Sequence, residues 1–190
     1  MATPMHPHLA QRQERRRSRR RRVAVGLLVM GCLLLALAVF LVLNAGRWGV
    51  PMFRFTNEYG SKCRNDWLGH HCSELTMADV ERHVRVDLPP EARLESATWR
   101  QTHDYELTAR LIYPQAVAEE GTARLGEVFG ECRGGVPSPL SEVADLENVC
   151  VMTNAGGFAT GTGLSSEIWR VATGVMPGGD VLVDLHIRSR

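Results

Sequence analysis

The chain has 190 residues with 22 Lys+Arg and 21 Asp+Glu, a net charge of +1. That balance hides a sharp segregation. Residues 1–22 hold eight arginines (Arg12, Arg15, Arg16, Arg17, Arg19, Arg20, Arg21 and Arg22) against Glu14 alone, residues 23–43 hold no charge, and residues 44–190 keep 14 of the basic and 20 of the acidic side chains, net −6. The composition excludes a collagen, a wholly disordered chain, a one-domain cytosolic protein and a multi-span transporter, since there is one long apolar run.

The first 22 residues are too polar and too charged to bury a core, so they are expected as a disordered, Arg-rich cytoplasmic tail. From Val23 to Leu43 the chain reads VAVGLLVMGCLLLALAVFLVL. As a helix it extends roughly 31 Å, the hydrocarbon thickness of a bilayer. The arginines before it hold the N-terminus inside by charge bias and by attraction to anionic lipid, which predicts a single-pass cell-membrane protein with its C-terminal part extracytoplasmic. Secretory cleavage is disfavoured, because the run is long and Leu43-Asn44-Ala45 places a large residue at a key position. A lipoprotein box at Cys32 is disfavoured by the eleven apolar residues that follow, and a twin-arginine export signal is less economical than a topogenic role. Nucleic acid is not expected as a partner of the arginines, since no aromatic residues or folded module accompany them.

Residues 44–75, with Gly46, Gly49, Pro51, Gly60 and Gly69 and little apolar periodicity, are expected as a stalk closed by a cysteine loop. The domain 76–190 follows. Thr76-Met-Ala-Asp79 caps a short helix over 77–84, and Val84, Val86 and Leu88 alternate as a strand stopped by Pro89-Pro90. Leu94 to Thr102 and Tyr105 to Tyr113 form a hairpin, the second strand apolar at every other residue. Pro114 opens a helix over 115–129. Residues 140–147 supply a helical turn or two. Asn148–Thr153, Ile168–Thr173 and Val181–Ile187 read as strands, the last two separated by a turn at Pro177-Gly-Gly179. The predicted class is α+β: a transmembrane helix, then an antiparallel sheet of about five strands packed on one or two helices.

The pattern Leu88-Pro89-Pro90-x-Ala92, a strand, then Asp104-x-x-Leu107 alternating to Pro114 and a helix resembles extracytoplasmic domains of membrane-anchored proteins and lipoproteins from high-GC bacteria. The resemblance covers about 88–129. It implies fold and location and brings no catalytic residues.

Four cysteines follow the apolar run: Cys63, Cys72, Cys132 and Cys150. In an oxidising compartment they make two disulfides, with three pairings open. Cys63–Cys72 with Cys132–Cys150 is favoured, because each closes a short loop. The rival is a metal or redox site in Cys63-x6-His70-His71-Cys72, which collects two thiols and two imidazoles. No Gly-x-Ser-x-Gly nucleophile motif occurs, and His83, His103 and His186 are scattered single histidines. Glu119-Glu120, Glu142 and Asp145 read as solvated helix faces. The glycine-rich stretch 154–163 lacks the lysine of a phosphate loop and is expected as a long turn, with Gly156, Phe158 and Thr160 as a possible partner-binding loop.

No catalytic residue, metal ligand or cofactor is assigned. The expected function is an envelope binding module whose partners are membrane lipid, through the anchor and tail, and a protein or envelope component. The net charge of −6 predicts that the outer part is repelled by an anionic bilayer. A membrane-tethered metal or redox protein is the alternative. A purely structural role in a membrane complex is a third reading, with Gly26 and Cys32 as small residues for helix contact.

Overall fold

The computed structural model describes residues 7–155 and 166–189, with side chains from Arg19 onward. They divide into two compact units, one ending at Ala45 and one comprising Gly46–Arg190.

The first unit is a single helix, α1 (Pro7–Asn44). The apolar run is helical as expected, and Arg19–Asn44 is long and apolar enough to cross a membrane. The Arg-rich stretch from Pro7, expected to be disordered, continues the same helix. Arginine has high helix propensity, an existing helix removes the nucleation cost, and proline suits a first helical position.

The second unit is α+β. Eight antiparallel strands form one sheet in the order β1-β2-β3-β4-β5-β8-β7-β6. The strands are β1 (Arg54–Thr56), β2 (Lys62–Asn65), β3 (His70–Glu74), β4 (Arg93–Gln101), β5 (Tyr105–Tyr113), β6 (Glu147–Thr153), β7 (Glu167–Val175) and β8 (Val181–Ser189). The helices are α2 (Met77–Val84) and α3 (Gln115–Phe129), with a 3-10 turn at Pro139–Glu142.

The expectation of about five strands is corrected to eight. The difference lies in the segment 44–75, which is no stalk: it supplies β1–β3, and β3 pairs with β4 through Cys72↔Trp99. Its strands escaped the sequence pattern because their buried positions are Cys63, Asn65 and Cys72 rather than large aliphatic residues. The expected strand over 84–88 is also corrected. Arg85 adopts φ 58° and caps α2, its N–H bonding Glu81 O. The Glu81 carboxylate then accepts from the Leu88 N–H at 3.0 Å. Val86 and Leu88 do bury, but without a strand partner. Elsewhere α2, α3 and the β4–β5 hairpin lie where cap, proline and alternation place them.

One face of the sheet carries the main core. Leu107, Leu111, Val171, Val183 and Leu185 are fully buried there, and α2 adds Val80 and Val84 while α3 adds Leu125 and Phe129. Trp169 Nε1 donates to Phe129 O at 3.3 Å and ties the end of α3 to β7. Gly121 sets the approach of α3, since a Cβ there would stand 2.7 Å from the Tyr113 ring. On the opposite face a smaller cluster, Leu140, Val151, Ala172 and Leu182, lies under the 3-10 turn. The remainder of that face is polar. Across β1 to β8 its register runs Arg54, Arg64, His71, Arg100, Glu106, Arg188.

Candidate functional site

Three places in the second unit concentrate chemistry: a groove along α3, a buried acid–histidine cluster, and the cysteine loop.

The groove follows from which side chains α3 spends on the core. Leu125 and Phe129 point into the sheet, which leaves small residues Ala118, Thr122, Ala123 and Gly126 along the neighbouring stripe. Spacings of three and four put these on one face. Between that stripe and β6, β7 and β8 lies an open cleft of about 850 Å³, walled by Cys150, Met152, Val175 and Val181. A Cβ on Gly126 would meet nothing within 4 Å. The Cys132–Cys150 disulfide fixes the wall. The Thr122 hydroxyl is committed to Ala118 O at 2.7 Å, so its polarity is spent within the helix. Glu119 and Glu131 are exposed at the rim. Chemically the cleft fits an apolar group with a basic or amide neighbour; it brings together no nucleophile and base.

The cluster is built across α2, β4, β5 and β7. Thr76 caps α2 by accepting from Asp79 N, and the helical i,i+4 spacing places His83 Nε2 3.4 Å from Asp79 Oδ1. Asn57 Nδ2 donates to Asp79 Oδ2 at 2.7 Å. The His83 ring stacks on Trp99 at 3.7 Å, and Trp99 stacks on Tyr105 at 5.2 Å. The Tyr105 hydroxyl donates to Glu167 Oε1, and the Arg85 guanidinium stands 3.7 Å from the same oxygen. Asp79 and Glu167 are both buried. Burial lowers the His83 and His70 pKa values, with the Asp79 charge opposing it in each case. Burial, then the hydrogen bond to Glu167, raises the Tyr105 hydroxyl to about 12. An imidazole held between an aromatic ring and a buried carboxylate is a proton-sensitive arrangement. Sequence reading treated His83 as isolated. The missed signal was Asp79-x-x-x-His83 on a helix already predicted; the Tyr105–Glu167 pair, 62 residues apart, left none.

The cysteines pair as favoured, Cys63–Cys72 and Cys132–Cys150. Cys63 and Cys72 face each other across β2 and β3 and are buried in the main core. Their sulfurs are spent on each other, and strand alternation sends the neighbouring histidines to opposite faces. His70 lies edge-on to Phe55 beneath the core, whereas His71 is exposed on the polar face. The four residues proposed for a metal site therefore do not converge, and among the described residues no group of three or more His, Cys, Asp or Glu is placed to hold an ion.

The other singled-out residues stay apart. His186 contacts Glu106 at 2.7 Å on the polar face of the sheet, His103 is exposed in the β4–β5 turn, and Glu120 pairs with Arg124 on α3. Gly156, Phe158 and Thr160 lie outside the described residues. The chain on either side of them is pinned: Asn154 Nδ2 donates to Glu167 O at 2.7 Å, and its Oδ1 accepts from Trp169 N at 2.9 Å. No protein-family model, curated protein or solved structure matches this chain.

Proposed function

We propose that the chain is a single-pass membrane protein, N-terminus inside, whose second unit lies outside the cell membrane and binds an envelope partner through the α3 groove. The groove carries this reading. Its small-residue wall leaves apolar surface open beside a fully formed core, and such concave apolar sites are where ligands bind. The arginine bias around the apolar run and the paired cysteines support the orientation. The acidic rim favours a partner segment that combines apolar and basic side chains.

Two measurements test it on the full chain in cells. A membrane-impermeant maleimide should label Ser141→Cys from outside intact cells; labelling only after permeabilisation reverses the topology. A photo-crosslinking residue at Ala123 should capture a discrete envelope component, and Gly126→Phe, which fills open space, should abolish that capture while the domain stays folded. Capture unaffected by Gly126→Phe would remove the groove from the reading.

A further inference from the structure

Apolar side chains outside the core gather at one end of the sheet. Trp67 and Leu68, at the tip of the β2–β3 hairpin, are 79% and 70% exposed; Trp48, Val50, Met52 and Phe53, in the preceding loop, are exposed as well. They belong to one built structure. Asn65 Nδ2 donates to Gly46 O at 2.6 Å and to Val50 O at 3.2 Å, and the Asn65 backbone exchanges hydrogen bonds with Met52 and Phe53. Asp66 N–H closes the tip onto Gly69 O at 2.8 Å. Gly69 is required there, because a Cβ would stand 1.8 Å from Gln101 O. The tip is thus held firmly while presenting its largest side chains to the outside, an arrangement that costs solubility unless something covers it.

Chain length and charge say what covers it. Asn44 ends α1, and Gly46, already held by Asn65, is two residues further on, at most about 7 Å of extended chain. A lipid surface at the end of the apolar helix is therefore within reach of this loop. The same end gathers cations although residues 44–190 are net acidic: Arg47, Arg54 and Arg64 are exposed against a single tip acid, Asp66, and the register continues Arg54, Arg64, His71, Arg100 along the polar face before it reaches Glu106. The Arg64 guanidinium lies against Met52 Sδ at 3.2 Å, so cation and apolar loop form one surface. Indole rings with arginines beside them match the headgroup layer, where apolar body, N–H and cation each find a partner.

We propose that the Trp67–Leu68 hairpin tip and the loop 48–53 insert into the interfacial layer of the bilayer that α1 crosses, with Arg47, Arg54 and Arg64 on anionic lipid phosphates. The proposal rests on the anchor reading above, and it replaces the repulsion expected from net charge with local attraction.

The test uses the full chain reconstituted in phosphatidylcholine vesicles with and without phosphatidylglycerol. Subtracting the emission of Trp67→Phe from that of the parent isolates Trp67. Expected is emission at shorter wavelength than in water, protection from aqueous iodide, quenching by lipids brominated near the headgroup, and loss of that quenching in Arg54→Glu/Arg64→Glu. Leu68→Trp placed in Trp67→Phe should restore the quenched signal, which separates insertion from any fold defect. Iodide-accessible Trp67 in a chain that still resists carbonate extraction overturns the insertion and leaves the anchor standing. Release of the chain by carbonate overturns the anchor and the insertion together. Iodide protection that follows chain concentration but ignores brominated lipid assigns the tip to a second copy and overturns the proposal. Quenching indifferent to phosphatidylglycerol and to the arginine variants overturns the assignment of those arginines to lipid phosphate.

Discussion

The two flanks of the sheet are stabilised by different forces. β4, β5, β7 and β8 are nine residues each; β4 buries Ala97 and Trp99, and the inward positions of β5, β7 and β8 include the large aliphatic side chains Leu107, Leu111, Val171, Val183 and Leu185, all 0% exposed. β1, β2 and β3 have three, four and five residues. Their inward positions include a disulfide and an asparagine, and the chain around them is held by directed hydrogen bonds: Asn65 to Gly46, Asn57 to Asp79, and the Ser61 hydroxyl accepting from Thr76 N at 3.0 Å. The first flank follows the non-directional gain of burying apolar area. The second follows covalent and polar contacts, each of which depends on one geometry. It is also the flank that carries the exposed Trp67 tip, where a short, cross-linked hairpin can hold apolar side chains outside a core.

The largest effect that tests this contrast is Leu185→Ala, which should lower unfolding free energy by about 2–5 kcal/mol in urea denaturation; a loss below about 1 kcal/mol would contradict a core centred on β8. Next is Cys63→Ala/Cys72→Ala. Removing the closed loop should remove roughly 2–3 kcal/mol, with amide exchange quickening over 54–74 and little changed over 105–113. Uniform acceleration across all strands would break the contrast. Thr76→Ala should follow at about 1 kcal/mol, since it deletes the α2 cap together with the hydroxyl donation to Tyr59 O.

The smallest effect is that of pH. His83 and His70 have lowered pKa values in the folded chain through burial, so below the ordinary imidazole value of about 6.5 the unfolded chain binds more protons than the folded one. This contribution to stability is complete above that value and declines as pH falls toward the folded-state values. His83→Gln should shallow the decline between pH 7.5 and 5, read from urea midpoints. An unchanged slope would move the titration away from the stack on Trp99.

How much was legible follows the same division. The α2 cap, Pro114 before α3, the strict alternation of β5 and the continuous apolar run each lie within a short window, and each yields the element found. The disulfide pairs were legible because short loops close most readily. β1–β3 were not, because strands of three to five residues whose buried positions are Cys63, Asn65 and Cys72 are too short to set up an apolar alternation. The groove was not, because Ala118, Thr122 and Gly126 define a surface only after Leu125 and Phe129 have chosen the core. The acid–histidine cluster was half legible: the α2 pair by spacing, the Glu167 side not at all.

The sequence by itself determined the apolar helix, the α+β class, the hairpin and the two helices, because these depend on periodicity and capping among near neighbours. Only the tertiary structure decided that β8 lies between β5 and β7, that the presumed stalk joins the sheet, and that Tyr105 meets Glu167 beside the His83–Trp99 stack. Those outcomes depend on distances between residues far apart in the chain, which are set when the whole core closes and the apolar faces find one another.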